Sequence, residues 1–87
     1  MRWVKIDRAV NSEGTTITYA AEGLNRILLI QSRRRHIPHA NGVGTWDHTT
    51  YHIIAKGLEA PRYWQTLKEA KEAAEMLAEV LYERLYR

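Results

Sequence analysis

The stretch SRRRHIPHANGVGTWDHTTYHI, residues 32–53, holds the side chains of this 87-residue chain that are best suited to chemistry. It contains three consecutive arginines and all four histidines, placed on either side of a glycine-bearing segment. Imidazole nitrogens bind metal ions or carry protons, whereas guanidinium groups bind phosphates and carboxylates. Three kinds of site therefore have to be weighed: a metal site, a catalytic site and a charged contact surface.

The histidine spacing argues against a metal site. His48 and His52 would share one face of a strand, where four residues separate their Cα atoms by roughly 13 Å. One zinc ion with ligand bonds of ~2 Å cannot bridge that distance. His36 and His39 could supply two ligands, but no neighbouring residue in the sequence completes a coordination shell. We expect no metal and no other cofactor.

The sequence also lacks the arrangements that activate a nucleophile. It has no cysteine, and neither Ser12 nor Ser32 lies in a Gly-x-Ser-x-Gly turn. The glutamates of the last third recur as the solvated side of a helix and not as a paired acid and base. The segment Gly42-Val43-Gly44 lacks the Gly-Lys-Ser/Thr sequence of a phosphate-binding loop. We therefore predict a protein without enzymatic activity.

The arginine triplet, residues 33–35, is the most informative surface feature. Three adjacent guanidinium groups are difficult to bury, and along an extended chain they alternate between two sides. They could bind phosphates or an acidic protein surface, although a charge cluster that only keeps the protein soluble would look the same. The chain has a net charge of +3. Its excess of basic residues falls in residues 1–64, so a basic surface is expected there.

Strands must hold these side chains in place. Residues 3–10 alternate apolar and polar types, and residues 15–21 are rich in threonine, isoleucine and tyrosine. Residues 26–35 include a run of four apolar residues, and residues 46–56 alternate again. Turn-forming residues separate each segment from the next. We therefore predict an antiparallel meander of three or four strands over about residues 1–57.

The last part of the chain predicts one long helix. Thr66 and Glu69 form a capping-box pattern at its start. Apolar residues then recur every three or four positions and form one stripe: Leu67, Ala70, Ala74, Leu77, Leu81 and Leu85. A helix over about residues 66–86 is long enough to cover one face of the sheet. The expected fold is α+β, a single domain over residues 1–87 in which the sheet packs on one C-terminal helix.

One helix leaves the other face of the sheet uncovered. The residues expected to face the helix are Val4, Ile6, Tyr51 and Ile53. The residues expected on the uncovered face are Trp3, Lys5, His48, Thr50 and His52, with Thr16 and Thr18. Polar and aromatic side chains on an open sheet suit nucleic-acid contact, but they also describe the solvated face of any antiparallel sheet. The predicted contact residues for nucleic acid or a partner are Arg33, Arg34, Arg35, His36, Lys5, Arg26, His48, His52 and Lys56.

The end of the helix offers a second candidate surface. Its residues could finish the core, or they could contact a second copy of the chain or another protein. They are Met76, Val80, Tyr82, Leu85 and Tyr86.

The charge pattern predicts a cytoplasmic protein without a membrane partner. Arg2, Lys5 and Asp7 interrupt the apolar run that a signal peptide needs, and no segment reaches transmembrane length.

The segment RYWQTLKEAKEAAEML, residues 62–77, places Trp64 before a helix start of the form Thr66-x-x-Glu69-Ala70. This segment resembles the helix start of phage-integrase arm-type DNA-binding domains and of other small phage or mobile-element proteins. The resemblance implies one helix packed behind a three-stranded sheet that enters the major groove of DNA. The predicted fourth strand and the tyrosine-bearing helix end depart from that pattern.

The sequence thus predicts a small non-enzymatic module that binds nucleic acid or a nucleoprotein through a basic loop and an open sheet face. The alternative is a phage or mobile-element adaptor or inhibitor, for example of a host defence complex. Such a protein would use the basic loop or the tyrosine-rich helix end to bind a protein. Salt-sensitive binding of nucleic acid separates the two hypotheses.

Overall fold

The computed structural model describes the backbone of residues 1–86 and the side-chain surroundings of residues 1–80. Five strands form one antiparallel sheet in chain order, and a helix follows. The elements are β1 (Trp3–Asn11), β2 (Gly14–Ala21), β3 (Leu28–Pro38), β4 (Thr45–Ala55), β5 (Leu58–Trp64) and α1 (Leu67–Tyr86). The α+β class, the antiparallel meander and the C-terminal helix are confirmed.

The prediction of three or four strands missed β5. This strand contains Pro61, which has no N–H to donate to a neighbouring strand. Proline is tolerated here because β5 is an edge strand. In addition, the register of the β4–β5 pairing shifts between His52 and Ile54, so Pro61 is not paired with any residue of β4. The proline therefore marks an irregular edge strand and not the end of the sheet.

The predicted basic loop is also a strand. The arginines at 33–35 lie inside β3, which continues to Pro38, and β3 pairs with β4 along its whole length. Side chains therefore alternate regularly between the two faces of the sheet throughout the triplet.

The core lies between α1 and one half of the sheet. Ala70, Ala74 and Ala78 form the buried face of the helix, and they pack on Leu28, Ile30 and Ile53. The small alanine side chains let the helix backbone come close to the sheet, so the three large residues are almost completely buried. Each of these large side chains contributes about 2 kcal/mol of hydrophobic free energy by its burial.

The start of α1 shows one of the two hydrogen bonds of the predicted capping box. Thr66 precedes the first helical residue, and its Oγ1 accepts a hydrogen bond from the Glu69 N–H at 3.2 Å. This bond satisfies one of the amides that has no partner within the helix. Trp64, just upstream, packs against the core.

The described part of α1 contacts β3, β4 and β5. Its buried contacts on β3 and β4 fall at residues 28–30 and 51–55. The remaining half of the sheet extends past the described part of the helix, and we call it the distal sheet. It comprises residues 32–38 of β3 and 45–50 of β4, with the adjoining parts of β1 and β2.

The predicted orientation of β1 is wrong. Trp3 pairs with Ala21, which places Trp3 on the helix side, where it packs against the core. Val4 points the other way and is exposed. The pairing with β2 shifts at Ile6, a bulge that reverses the alternation of the following residues. The larger indole takes the core position because its burial removes more apolar surface from water than burial of Val4 would.

Candidate functional site

The sheet face turned away from α1 brings together the largest group of predicted contact residues. We call it the open face, because no other described element covers it. Residues that pair across antiparallel strands share a face, and Arg33 pairs with Thr50, as Arg35 does with His48. These side chains surround a shallow concavity of about 320 Å³. It is lined by Arg33, Arg35, Ile37, His48, Thr50, His52 and Tyr63.

Arg33 is held in place by its neighbours. Its guanidinium forms an ion pair with Glu59 of β5, and its Nη2 and Nε donate hydrogen bonds to Gln31 Oε1 at 2.9 and 3.2 Å. Gln31 in turn donates a hydrogen bond to Thr18 Oγ1. The charge of Arg33 is therefore balanced, and its position is fixed before any ligand arrives.

Arg35 differs from Arg33 in its surroundings. Among the described residues it has no ion pair, and its side chain lines the same concavity. A guanidinium without a carboxylate partner is free to bind a phosphate or carboxylate with two parallel hydrogen bonds. Arg35 is therefore the principal cation of the open face.

His52 contributes hydrogen bonding and not charge. Its Nε2 lies 2.7 Å from Thr50 Oγ1, and its ring lies 6.0 Å from the Tyr63 ring, measured between centroids. Burial lowers the pKa of His52, and the positive charge of Arg33 lowers that pKa further. The imidazole is therefore neutral at pH 7, and one of its nitrogens can accept a hydrogen bond.

Two aromatic residues on the open face were missed in the sequence. Trp46 pairs with Ile37, and its ring centroid lies 5.5 Å from that of His48. Tyr63 pairs with His52. Trp46 has the same alternation as His48 and could have been assigned from that signal, whereas Tyr63 could not be placed without β5.

The alternation of β3 sends Arg34 and His36 to the opposite face. Arg34 forms an ion pair with Asp47, with its Nε 3.1 Å from Oδ2, and the same carboxylate contacts His36 Nδ1. Hydrogen bonds from Arg34, and then from His36, lower the pKa of Asp47. The prediction grouped Arg34 and His36 with the other contact residues, but the structure separates them from the open face.

A second concavity, also of about 320 Å³, lies on the helix side of the distal sheet. It is lined by Arg8, Thr15, Ile17, Tyr19, Ser32, Arg34, Thr49 and Tyr51. Lys5 pairs with Tyr19 and therefore lies on this side, which corrects its predicted place beside His48 and His52.

Arg26 and Lys56 do not extend the arginine cluster. Both lie in turns at the far end of β3, where the Lys56 N–H donates a hydrogen bond to the Ile27 carbonyl at 2.8 Å. About seven residues of strand separate this end from the triplet, which corresponds to roughly 20 Å. The predicted extension of the basic patch to these two residues is wrong.

The helix surface keeps two of its predicted contact residues exposed. Met76 and Val80 face solvent. The side chains of Tyr82, Leu85 and Tyr86 lie outside the part of the chain whose side-chain surroundings are described.

Within the described residues, no group of three or more histidine, aspartate or glutamate side chains is placed to hold a metal ion. The described part of the chain contains no helix with the length and apolar character needed to span a membrane.

Comparison with known proteins gives no match: no protein-family model, curated protein or solved structure is similar to this chain. The resemblance to phage-integrase arm-type domains therefore stays a prediction.

Proposed function

We propose that this protein is a non-enzymatic module that binds nucleic acid through the open face. One observation carries the proposal: Arg33, Arg35, His48, His52 and Tyr63 line a single concavity on a sheet face that no other described element covers. Guanidinium groups supply phosphate contacts, while imidazole and hydroxyl groups hydrogen-bond to bases and sugars. The open face combines both kinds of contact.

The two open-face arginines have different roles in this proposal. Arg35 contacts a phosphate directly, because it has no competing ion pair among the described residues. Arg33 would have to exchange Glu59 for a phosphate, so its contribution to affinity is smaller. Its bonds to Gln31 instead keep the floor of the concavity rigid.

Fluorescence anisotropy with labelled oligonucleotides tests the proposal. A mixed-sequence duplex and its single strand are titrated with protein over a series of salt concentrations. Each phosphate contact adds about 0.7 to 0.9 to the slope of log affinity against log salt, because bound counterions are released. We expect Arg35→Gln to weaken binding and to lower this slope by about one such contact.

Arg34→Gln is the matched control. It removes the same charge from the neighbouring position, but that side chain lies on the other face and is paired with Asp47. We expect Arg34→Gln to retain most of the wild-type affinity and most of the slope of log affinity against log salt. Equal losses in Arg34→Gln and Arg35→Gln would show that only net charge matters, and absence of binding even at low salt would refute the proposal.

A second candidate function is supported by the outer edge of β4. This strand comprises Thr45–Ala55, but β5 pairs with it only from Tyr51 to Ala55. On the side away from β3, residues 45–50 therefore present backbone groups that have no strand partner among the described residues. Such an edge can accept an extended segment of another protein, and the nearby Arg35, which has no ion pair among the described residues, favours an acidic one.

This alternative is the protein-binding adaptor or inhibitor, including the phage or mobile-element setting predicted from the sequence. A pull-down with nuclease present tests it. Recovery of one stoichiometric protein partner, together with negligible nucleic-acid binding at physiological salt, would favour this function over the first.

A further inference from the structure

We infer that the open face selects single-stranded nucleic acid over duplex. The inference rests on the proposed function and identifies the class of ligand for the same face. The evidence for it is the pair of exposed aromatic side chains on the open face, because phosphate contacts alone give these rings no role in binding.

Among the residues whose side-chain surroundings are described, the exposed aromatic rings lie on the open face. Trp46 is 44% exposed and Tyr63 is 50% exposed. The other described tryptophans and tyrosines, Trp3, Tyr19, Tyr51 and Trp64, pack against the core. Two large rings exposed on one surface are available to a ligand that can use their flat faces.

Tyr63 lines one end of the concavity, and Trp46 lies just beyond the other end, where it pairs with the lining residue Ile37. Tyr63 pairs with His52, and Trp46 precedes His52 by six residues on β4, so the rings are roughly 20 Å apart along the strand. Neighbouring bases in a stacked strand are ~3.4 Å apart, so a segment of about six or seven nucleotides reaches from one ring to the other. Arg35 lies between the rings, at the place where the backbone of that segment would pass.

Stacking requires bases that are not already stacked. In a duplex the base faces are covered by adjacent base pairs, and only their edges are accessible in the grooves. A single strand can turn its bases onto a protein surface, where aromatic side chains bind them without regard to sequence. The rings of the open face therefore contribute to binding of a single strand and not of a duplex.

The neighbouring histidines orient both rings. The His48 ring is tilted by 54° against Trp46, and the His52 ring is tilted by 40° against Tyr63. Each aromatic residue thus has a histidine ring beside it and stays about half exposed. The neighbouring ring restricts the aromatic side chain, which reduces the conformational entropy lost when a base stacks on it.

The test uses the full chain and three labelled 15-mers of one sequence: single-stranded DNA, single-stranded RNA and duplex DNA. We expect the wild-type protein to bind a single strand at least about 10-fold more tightly than the duplex. Trp46→Ala and Tyr63→Ala should each weaken single-strand binding by about 5- to 100-fold and should weaken duplex binding much less. Tighter binding of either the DNA or the RNA strand supports the inference and identifies the source of the ligand.

Three variants serve as controls. Trp46→Phe and Tyr63→Phe keep an aromatic face and should retain most of the single-strand affinity. Leu58→Ala removes an apolar side chain that is 77% exposed and pairs with Ala55 on the helix side, and it should have no effect. Circular dichroism confirms that each variant is folded.

The possible failures are distinguishable. If the duplex binds as tightly as the single strand, or if both alanine variants bind single strands like the wild type, the inference is overturned while the proposed function stands. If the wild-type protein binds none of the three oligonucleotides, both are refuted.

Discussion

Gly14 begins β2 opposite Arg35, and it lies closer to the backbone of β3 than a side chain would allow. A Cβ atom added at Gly14 would overlap the carbonyl oxygen of Arg34 and would lie only 3.0 Å from the Cα of Arg35. To admit Gly14→Ala, the two strands must separate by roughly 1 Å or more. This change falls on the segment of β3 that carries the open-face arginines.

The expected loss of stability has two parts. Overpacking at a site that cannot relax costs about 1–3 kcal/mol. A separation of this size also breaks or lengthens the adjacent hydrogen bonds between β2 and β3, each of which contributes about 1 kcal/mol. We therefore expect Gly14→Ala to lower the free energy of unfolding by about 3 kcal/mol.

Urea unfolding followed by circular dichroism measures this loss, with Gly42→Ala as control. Gly42 lies in the turn between β3 and β4 with a φ of 76°, and a Cβ there would meet no atom within 4 Å. Gly14 also has a positive φ, of 157°, so the control shares that strain; at Gly42 the positive φ alone disfavours alanine, at a cost of about 1 kcal/mol. If Gly14→Ala is no more destabilising than Gly42→Ala, the close approach of β2 to β3 is wrong.

Three further predictions concern the helix start, the core and the concavity. Thr66→Ala should lower the free energy of unfolding by about 1 kcal/mol in urea titrations, because the amide of Glu69 loses its acceptor, whereas Thr66→Ser should not. Ile53→Ala should cost about 3 kcal/mol in the same assay, because the side chain is almost fully buried. NMR titration should give His52 a pKa below the ordinary value of 6.5, and Arg33→Gln should raise that pKa. As pH falls, His52 is then protonated in the unfolded chain before it is protonated in the folded chain. His52 should therefore make the free energy of unfolding fall as pH drops from 6.5 through the folded-state pKa.

The regular elements could be predicted because their residues follow simple periods. The capping residues and the spacing of the helical alanines and leucines identified α1. Alternation identified β1 and β4, residue composition identified β2, and a run of apolar residues identified β3. The alternation of Arg33, Arg34 and Arg35 between two sides was also expected. These features depend on local sequence alone.

The missed features depend on contacts between distant parts of the chain. Pro61 is compatible with a strand only because β5 lies at the edge of the sheet, which no local pattern reveals. The partner of Arg33, Glu59, lies on that same strand, as does Tyr63, so part of the open face was hidden with it. The bulge at Ile6 likewise results from pairing with β2.

The open face and the edge of β4 adjoin each other, so one ligand excludes the other. A peptide paired with residues 45–50 would run alongside Trp46 and His48 and would hinder a base from stacking there. If both functions exist, nucleic acid and the protein partner should compete for the distal sheet.

The indole N–H signals in a ¹H–¹⁵N correlation spectrum test the central claim most directly. The three tryptophans lie at different places: Trp46 on the open face, and Trp3 and Trp64 against the core on the helix side. When a single-stranded oligonucleotide is added, we expect the Trp46 signal to shift progressively to saturation, while the Trp3 and Trp64 signals stay in place. Binding that shifts Trp3 or Trp64 and leaves Trp46 unchanged would show that the open face is not the nucleic-acid surface.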